Sequence, residues 1–246
     1  MYQAAKIENY DYKYRSRGKW IFVPNERCKR KGERILSYFS RVKFPSYFYH
    51  YQPGGHVAAL HAHLQNSLFF KIDIQNFYYS IARMRVTRVL RNRGFVGAHT
   101  AARWSCVANP LAGPRHVLPI GFLQSPLLAS LVLLKSPVAD AIERALDDGV
   151  CISVYLDDFI GSHNDNSVLT AAYDNIRHAC VGAGLIPNAG KLVPPNAAIT
   201  VFNCDLVHGA AQVTEARVNE FMEKPRNDIS TAAFQAYRQR VASQNL

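Results

Sequence analysis

Three carboxylates carry the first chemical signal in this chain of 246 residues. Asp73 closes an apolar run, Leu68-Phe69-Phe70-Lys71-Ile72, and Asp157-Asp158 stand between two further β-like runs, Cys151–Tyr155 and Phe159–Gly161. Carboxylates gathered at strand ends repel one another unless a cation lies between them. Acids so placed are how a protein holds two Mg²⁺ ions for in-line phosphoryl transfer. One ion sharpens the attacking oxygen and the other steadies the leaving pyrophosphate. An ordinary polar hairpin turn also accounts for Asp157-Asp158 taken alone. Both readings stand at this level.

The elements that must position these acids follow from the pattern around them. Ser67–Ile74 predicts a short, largely buried strand, and the two runs around Leu156-Asp157-Asp158 predict a hairpin with acids at its turn. Pro53-Gly54-Gly55 predicts a turn, and residues 83–93 a helix with basic residues outside. Asn109–Pro119, with three prolines and a glycine, reads as a loop. From Ser125-Pro126 a helical stretch runs towards Leu146, divided near Pro137. Leu169, Ala172, Tyr173, Ile176 and Cys180 recur at helical spacing within Asn166–Gly182, and Ile199–Phe202 reads as a strand. The tail predicts two short helices separated by Pro225, with Thr214 and Ser230 as N-caps.

Composition narrows the partners. With 48% hydrophobic residues the chain can build a sizeable core, and with 29 Lys and Arg against 18 Asp and Glu it carries a net charge of +11. Such a surplus favours a polyanion. The first third interleaves Lys19, Arg27, Arg30, Lys31 and Arg41 with Tyr12, Trp20, Phe22, Tyr38 and Tyr47. Cations for phosphates beside rings for bases would suit nucleic acid, and a charged face over an aromatic core is the alternative. No run approaches the ~18 apolar residues of a membrane span, so no membrane partner is expected. Met1–Lys6 lacks the apolar core of a secretory signal. The five cysteines lie far apart without a CxxC pair, which fits a reduced cytosol better than a disulfide framework or a zinc site.

The order of the motifs supplies a resemblance. Lys71-Ile72-Asp73-Ile74-Gln75-Asn76-Phe77-Tyr78-Tyr79-Ser80-Ile81 closely resembles the first palm motif of bacterial reverse transcriptases. Leu118–Pro126 resembles their second motif, Tyr155–Asp158 their YxDD motif, and Gly184–Lys191 their fourth, with Val201–Leu206 in the place of the fifth. Retron-like and phage-defence members are the most similar in flavour. The resemblance covers roughly residues 20–206. It implies that Asp73, Asp157 and Asp158 are catalytic and hold two Mg²⁺ ions, with the Ile74 carbonyl also facing a metal and Mn²⁺ as a substitute. Tyr78 would be the gate that collides with a ribose 2′-hydroxyl. Gly121 would let the backbone approach the nucleotide, and Lys191 would face the triphosphate or protonate pyrophosphate. Arg34, with Lys29 second, would grip the triphosphate, while Gln124, Ser125, Pro126 and Tyr155 would meet template or primer. The histidines of Gly54–His63 read as packing or template contacts rather than metal ligands.

The resemblance implies an α+β fold: a right-hand polymerase palm and fingers, an antiparallel palm sheet and a much reduced helical thumb. Its expected layout is a basic fingers region over residues 1–66, a palm over 67–206 with fingers elements inserted around 83–117, and a thumb-like tail over 207–246. The expected activity is RNA-directed DNA synthesis from dNTPs on an RNA template, in the bacterial cytoplasm and within an anti-phage defence system. A template-independent or RNA-synthesising enzyme on the same palm is the rival, as is a non-catalytic RNA-binding scaffold. Two departures stand out: Ile120 replaces the usual Gln before the glycine of the second motif, and Asn203-Cys204 replaces Leu-Gly in the fifth. Because two short helices bury little surface, the tail is expected to need an outside partner. A structured non-coding RNA, a second subunit or a second copy would serve; for a tail that associates with a second copy, Phe221, Met222, Phe234 and Tyr237 would be the contacts.

Overall fold

Alternation and a tight turn build the first element. Tyr10–Ser16 (β1) and Lys19–Pro24 (β2) pair antiparallel. Arg17 and Gly18 between them both take positive φ, as the twist-matched two-residue hairpin turn requires. A computed structural model describes residues 9–246; the reading of Met1–Lys6 lies outside them. Asn25 then caps α1 (Glu26–Phe39) by accepting from Cys28 N at 2.9 Å. After it come α2 (Gly55–Ala62), β3 (Leu68–Asp73), α3 (Phe77–Ser80), α4 (Arg83–Asn92) and α5 (Ala98–Ser105). Val107–Ala108 (β4), just before the expected loop, pairs with His116–Val117 (β5) inside it, so that part of the loop is strand rather than coil. The middle of the chain supplies α6 (Ser125–Leu133), α7 (Pro137–Asp147), β6 (Cys151–Tyr155), β7 (Asp158–His163) and α8 (Asn166–Gly182). Pro126 and Pro137 fall in first turns, where a missing N–H costs nothing.

The last third departs from expectation. Val193–Asn196 (β8), Ala198–Val201 (β9), Cys204–Val207 (β10) and Ala210–Val213 (β11) precede α9 (Glu215–Met222) and α10 (Asp228–Ala242). Strand β11 and the last residue of β10 occupy residues read as the thumb-like tail, because Ala210-Ala211-Gln212 lacks the β-branched and aromatic residues that mark a strand. The cap of α10 is Asn227, whose side chain accepts from Ser230 N at 2.8 Å, and not Ser230 itself.

The described chain divides into two compact units. One takes the chain up to Lys43 with Asn76–Ala139 and Gly184–Ile186. Its core gathers Phe22, Cys28, Tyr79, Trp104, Val107, Val117 and Phe122. Rings and cations of the β1–β2 hairpin sort by face: Lys13 lies 4.7 Å over the Trp20 ring and Arg15 5.2 Å, while Tyr12 and Tyr14 stay exposed.

The other unit comprises Phe44–Gln75, Asp140–Ala183 and Pro187–Leu246. A four-stranded sheet of order β6-β7-β3-β8, antiparallel at each pairing, lies in it with a three-stranded sheet of order β11-β10-β9. One face of β3 and β7 packs under α8, where the Phe70 ring lies over Gly161 so closely that a Cβ there would collide with it. On the opposite face Phe69 and Ile160 join Ile199, Val201, Leu206, Phe221, Phe234 and Val241 in one core. The tail is therefore docked by its own chain. Phe221 and Phe234 stack at 4.0 Å, His61 meets Val241 O at 2.9 Å, and Leu246 N donates to Gly209 O at 2.7 Å. Phe221, Phe234 and Tyr237, expected as contacts to an outside partner, are used inside this unit, whereas Met222 is exposed.

All five cysteines are free. Among the described residues no single helix is long and apolar enough to cross a membrane.

Candidate active site

Register assembles the acids. In the antiparallel β3–β7 ladder Asp73 stands directly opposite Asp158, and paired residues project from the same face. Lys71, two residues before Asp73, shares that face by the period of the strand. Its Nζ lies 3.8 Å from Asp158 Oδ1 and donates to Thr200 O of β9 at 3.2 Å. Tyr155 and Asp158 close the β6–β7 hairpin around Leu156-Asp157. Leu156 takes φ 58°, a strained value for a residue other than glycine. Asp157 is fastened through its backbone: Ile74 N donates to Asp157 O at 2.9 Å. The three acids thus converge by two independent devices, a strand register and a main-chain bond.

Partners surround Asp73, which is only 5% exposed. Its Oδ2 lies 3.2 Å from Lys191 Nζ, and its Oδ1 accepts from Asn188 Nδ2 at 3.1 Å. Asp158 has a pKa pushed up to about 6. Burial is the main cause; Lys71 pulls it down, while the charges of Asp157 and Asp73 push it up. Crowded like charges of this kind are what a divalent cation relieves. Lys71, Lys191, Thr200 and Asp205 line an adjoining open cleft of about 410 Å³.

Among the described residues no three His, Cys, Asp or Glu side chains form a metal cage of their own. Mg²⁺ does not ask for one: it binds through one or two carboxylates and completes its shell with water and substrate phosphates. Hard oxygen donors from Asp73, Asp157 and Asp158, two of them on one sheet face, fit that requirement.

Ile74, Tyr155 and Lys191 belong to the same unit as the acids. Ile74 is buried and bridges to Pro187, and the Tyr155 ring meets His50, His56 and Phe202 edge-on. The remaining sequence candidates lie in the other unit. Lys29 pairs with Glu26 at 2.5 Å. Arg34 lies 5.8 Å over the Phe95 ring, at a cavity of about 280 Å³ that Lys31, Ile35 and Val96 also line. Tyr78 sits half-buried on α3, its ring 5.5 Å from Phe77. Gly121 takes φ 107° and lies against the Phe22 carbonyl of β2, where any Cβ would collide; Ile120 O accepts from Phe22 N at 2.9 Å. Gln124 is buried and donates to Ser105 Oγ at 3.3 Å, and Ser125 is buried at the start of α6, followed by Pro126.

Histidines near α2 pack, as expected. His63 is wholly buried, its ring nitrogens 2.7 Å from Ser162 Oγ and 2.8 Å from Ser153 Oγ, and His56 meets the Tyr237 hydroxyl at 3.2 Å. Sequence reasoning left Lys71 and Asn188 without a role. The Lys71-x-Asp73 alternation signals the first. Nothing local signals the second, because its partner is far away along the chain.

Comparison with known proteins follows the same lines. Residues 19–194, well over half of the chain, match the model of a family described as reverse transcriptase (RNA-dependent DNA polymerase). A search of curated protein sequences finds no match. Among solved structures, the foamy viral protease-reverse transcriptase in complex with dsDNA is similar over 92% of this chain and 40% of that one, at 16% identity and a TM-score of 0.50. The same viral protein in complex with RNA/DNA hybrid is similar over 85% of this chain and 24% of that one, at 19% identity and a TM-score of 0.48. The chain therefore spans less than half the length of either viral chain.

Proposed function

The chain belongs to the reverse transcriptase (RNA-dependent DNA polymerase) family, and from that premise we propose that it copies an RNA template into DNA by adding dNTPs to a primer 3′-hydroxyl. One observation carries the reading: Asp73 and Asp158 face each other across the β3–β7 ladder while Ile74 binds the main chain of Asp157. That arrangement supplies carboxylate oxygens at one spot and leaves an open cleft beside them. In this reading two Mg²⁺ ions, when bound, lower the pKa of the attacking hydroxyl and neutralise the charge that develops on the leaving pyrophosphate. Asp73, Asp157 and Asp158 hold them. Lys191, exposed beside Asp73, meets the triphosphate or gives up a proton to pyrophosphate. Tyr78 excludes the ribose 2′-hydroxyl, and Arg34 and Lys29 supply charge for the triphosphate.

The wider setting rests on the retron-like flavour of the motifs: a bacterial cytoplasmic enzyme of anti-phage defence. The net charge of +11 supports a cognate structured RNA as a partner, with a second subunit or a second copy as a further component. Purified protein incubated with Mg²⁺ and labelled dNTPs or rNTPs, with and without added RNA, tests the reading. DNA complementary to the RNA is the expected product. Ribonucleotide product, or DNA that matches no template, would overturn it.

A further inference from the structure

Asn188 grips Asp73 twice. Its backbone N–H donates to Asp73 O at 2.8 Å, and its side-chain Nδ2 donates to Asp73 Oδ1 at 3.1 Å. The other end of the same amide is also engaged: Oδ1 of Asn188 accepts from Gly190 N at 3.3 Å, capping the turn Ala189–Lys191. These contacts fix the amide's orientation. A flipped amide would set its carbonyl against the Asp73 carboxylate and its NH₂ against the Gly190 N–H.

A carboxylate rotates easily about its last torsion, whose energy profile is broad. Two side chains hold that of Asp73, and they differ in kind. Lys191, on Oδ2, is 56% exposed and sits on a flexible stem. Asn188, on Oδ1, is half-buried and braced at both ends. Lys191 is the partner that can withdraw; Asn188 is the one that stays. A neutral donor moreover orients the carboxylate without cancelling its charge.

We infer that Asn188 is a positioning residue for polymerisation, whose side-chain amide holds Asp73 Oδ1 so that the carboxylate keeps one fixed orientation toward a divalent cation. The inference rests on the reading of Asp73 as a metal-holding acid. Partners of this kind around metal ligands alter metal affinity by about 10–100-fold when removed.

Asn188→Ser separates the two roles of the amide. Serine retains an oxygen that can cap the turn, but its short hydroxyl cannot reach Asp73. The readout is Mn²⁺ binding to the full-length protein, followed by the electron paramagnetic resonance of free Mn²⁺ without nucleotide or nucleic acid. Expected is a Kd raised about tenfold or more in Asn188→Ser at an unchanged melting temperature, and a loss at least as large in Asn188→Ala. A Kd within about twofold of wild type in Asn188→Ser overturns the positioning role, and so does a loss confined to Asn188→Ala, which would assign the effect to the cap. Asp73→Asn is the control. Lost binding there with wild-type binding in Asn188→Ser removes only the role of Asn188, whereas wild-type binding in Asp73→Asn removes the metal-holding reading of Asp73 as well.

Discussion

Asp73 and Asp158 are paired residues in one antiparallel ladder, on the face of the sheet that also carries Lys71. Two acids and one lysine thereby share a largely buried patch, with Lys191 reaching Asp73 Oδ2 from outside it. Asp157 joins them through the bond its carbonyl accepts from Ile74 N.

The first prediction concerns these acids. Asp73→Asn or Asp157→Asn should lower dNTP incorporation about a thousandfold, since paired metals contribute several kcal/mol to the transition state. Nucleic-acid affinity should hardly change, because it draws on the surplus of Lys and Arg. Incorporation assays and a filter-binding titration on the same protein check it. Wild-type incorporation in either variant would sink the assignment.

Lys71 should matter for stability and for Asp158. Lys71→Met removes the 3.8 Å partner of a half-buried carboxylate and the tie to Thr200 O. A loss of about 1–3 kcal/mol is expected in urea unfolding. Lys71 is the main influence that lowers the pKa of Asp158, so its value should climb above the present value of about 6. Carbon-13 NMR of the Asp158 carboxyl reads this directly, and an unmoved titration would show that the pair is not coupled.

Acid should destabilise the fold through His63. Burial drives its pKa down to about 3, whereas the unfolded ring keeps the ordinary value of 6.5. As pH falls below 6.5 the unfolded chain takes the proton first, so this stability is present above 6.5 and is lost downward toward 3. One such histidine costs about 1 kcal/mol between pH 6.5 and 5.5. His50, lowered to about 4 by burial, acts in the same direction. Asp158 opposes both between 3.8 and about 6, because there the folded state takes the proton first. Comparing His63→Asn with wild type cancels His50 and Asp158. Parallel stability–pH curves for the two proteins would refute the contribution of His63.

Tyr78→Ala should raise ribonucleotide use relative to deoxynucleotide use. The motivating observation is an aromatic ring five residues after Asp73, half-buried on α3. Paired dNTP and rNTP incorporation rates test it; an unchanged ratio in an active variant would remove the gate.

The docked tail gives a stability prediction. Phe234→Ala removes a ring stacked on Phe221 at 4.0 Å within the shared core. A loss of about 3 kcal/mol is expected. Under denaturant, a midpoint unchanged from wild type would mean that α10 adds nothing to the unit.

Much of this was legible in one dimension. The strand ending in Asp73, the hairpin around Leu156-Asp157 and the helix Asn166–Gly182 each announce themselves, since an apolar run, a polar turn or a 3.6-residue period is written in neighbouring residues. The acids were legible for the same reason. Relations between distant segments were not. Nothing near Asn188 indicates that its amide reaches Asp73, and nothing near His63 shows that two serines from separate strands will enclose it. The β10–β11 pair escaped because short strands are stabilised by their neighbours rather than by their own pattern. The tail shows the division most plainly: sequence predicted two helices of little stability, and the fold supplied the sheet on which Phe234 and Val241 are buried. Local periodicity decides what each segment can become; long-range packing decides which of those segments hold the acids in place, because only contact between distant segments can offset the cost of ordering each one.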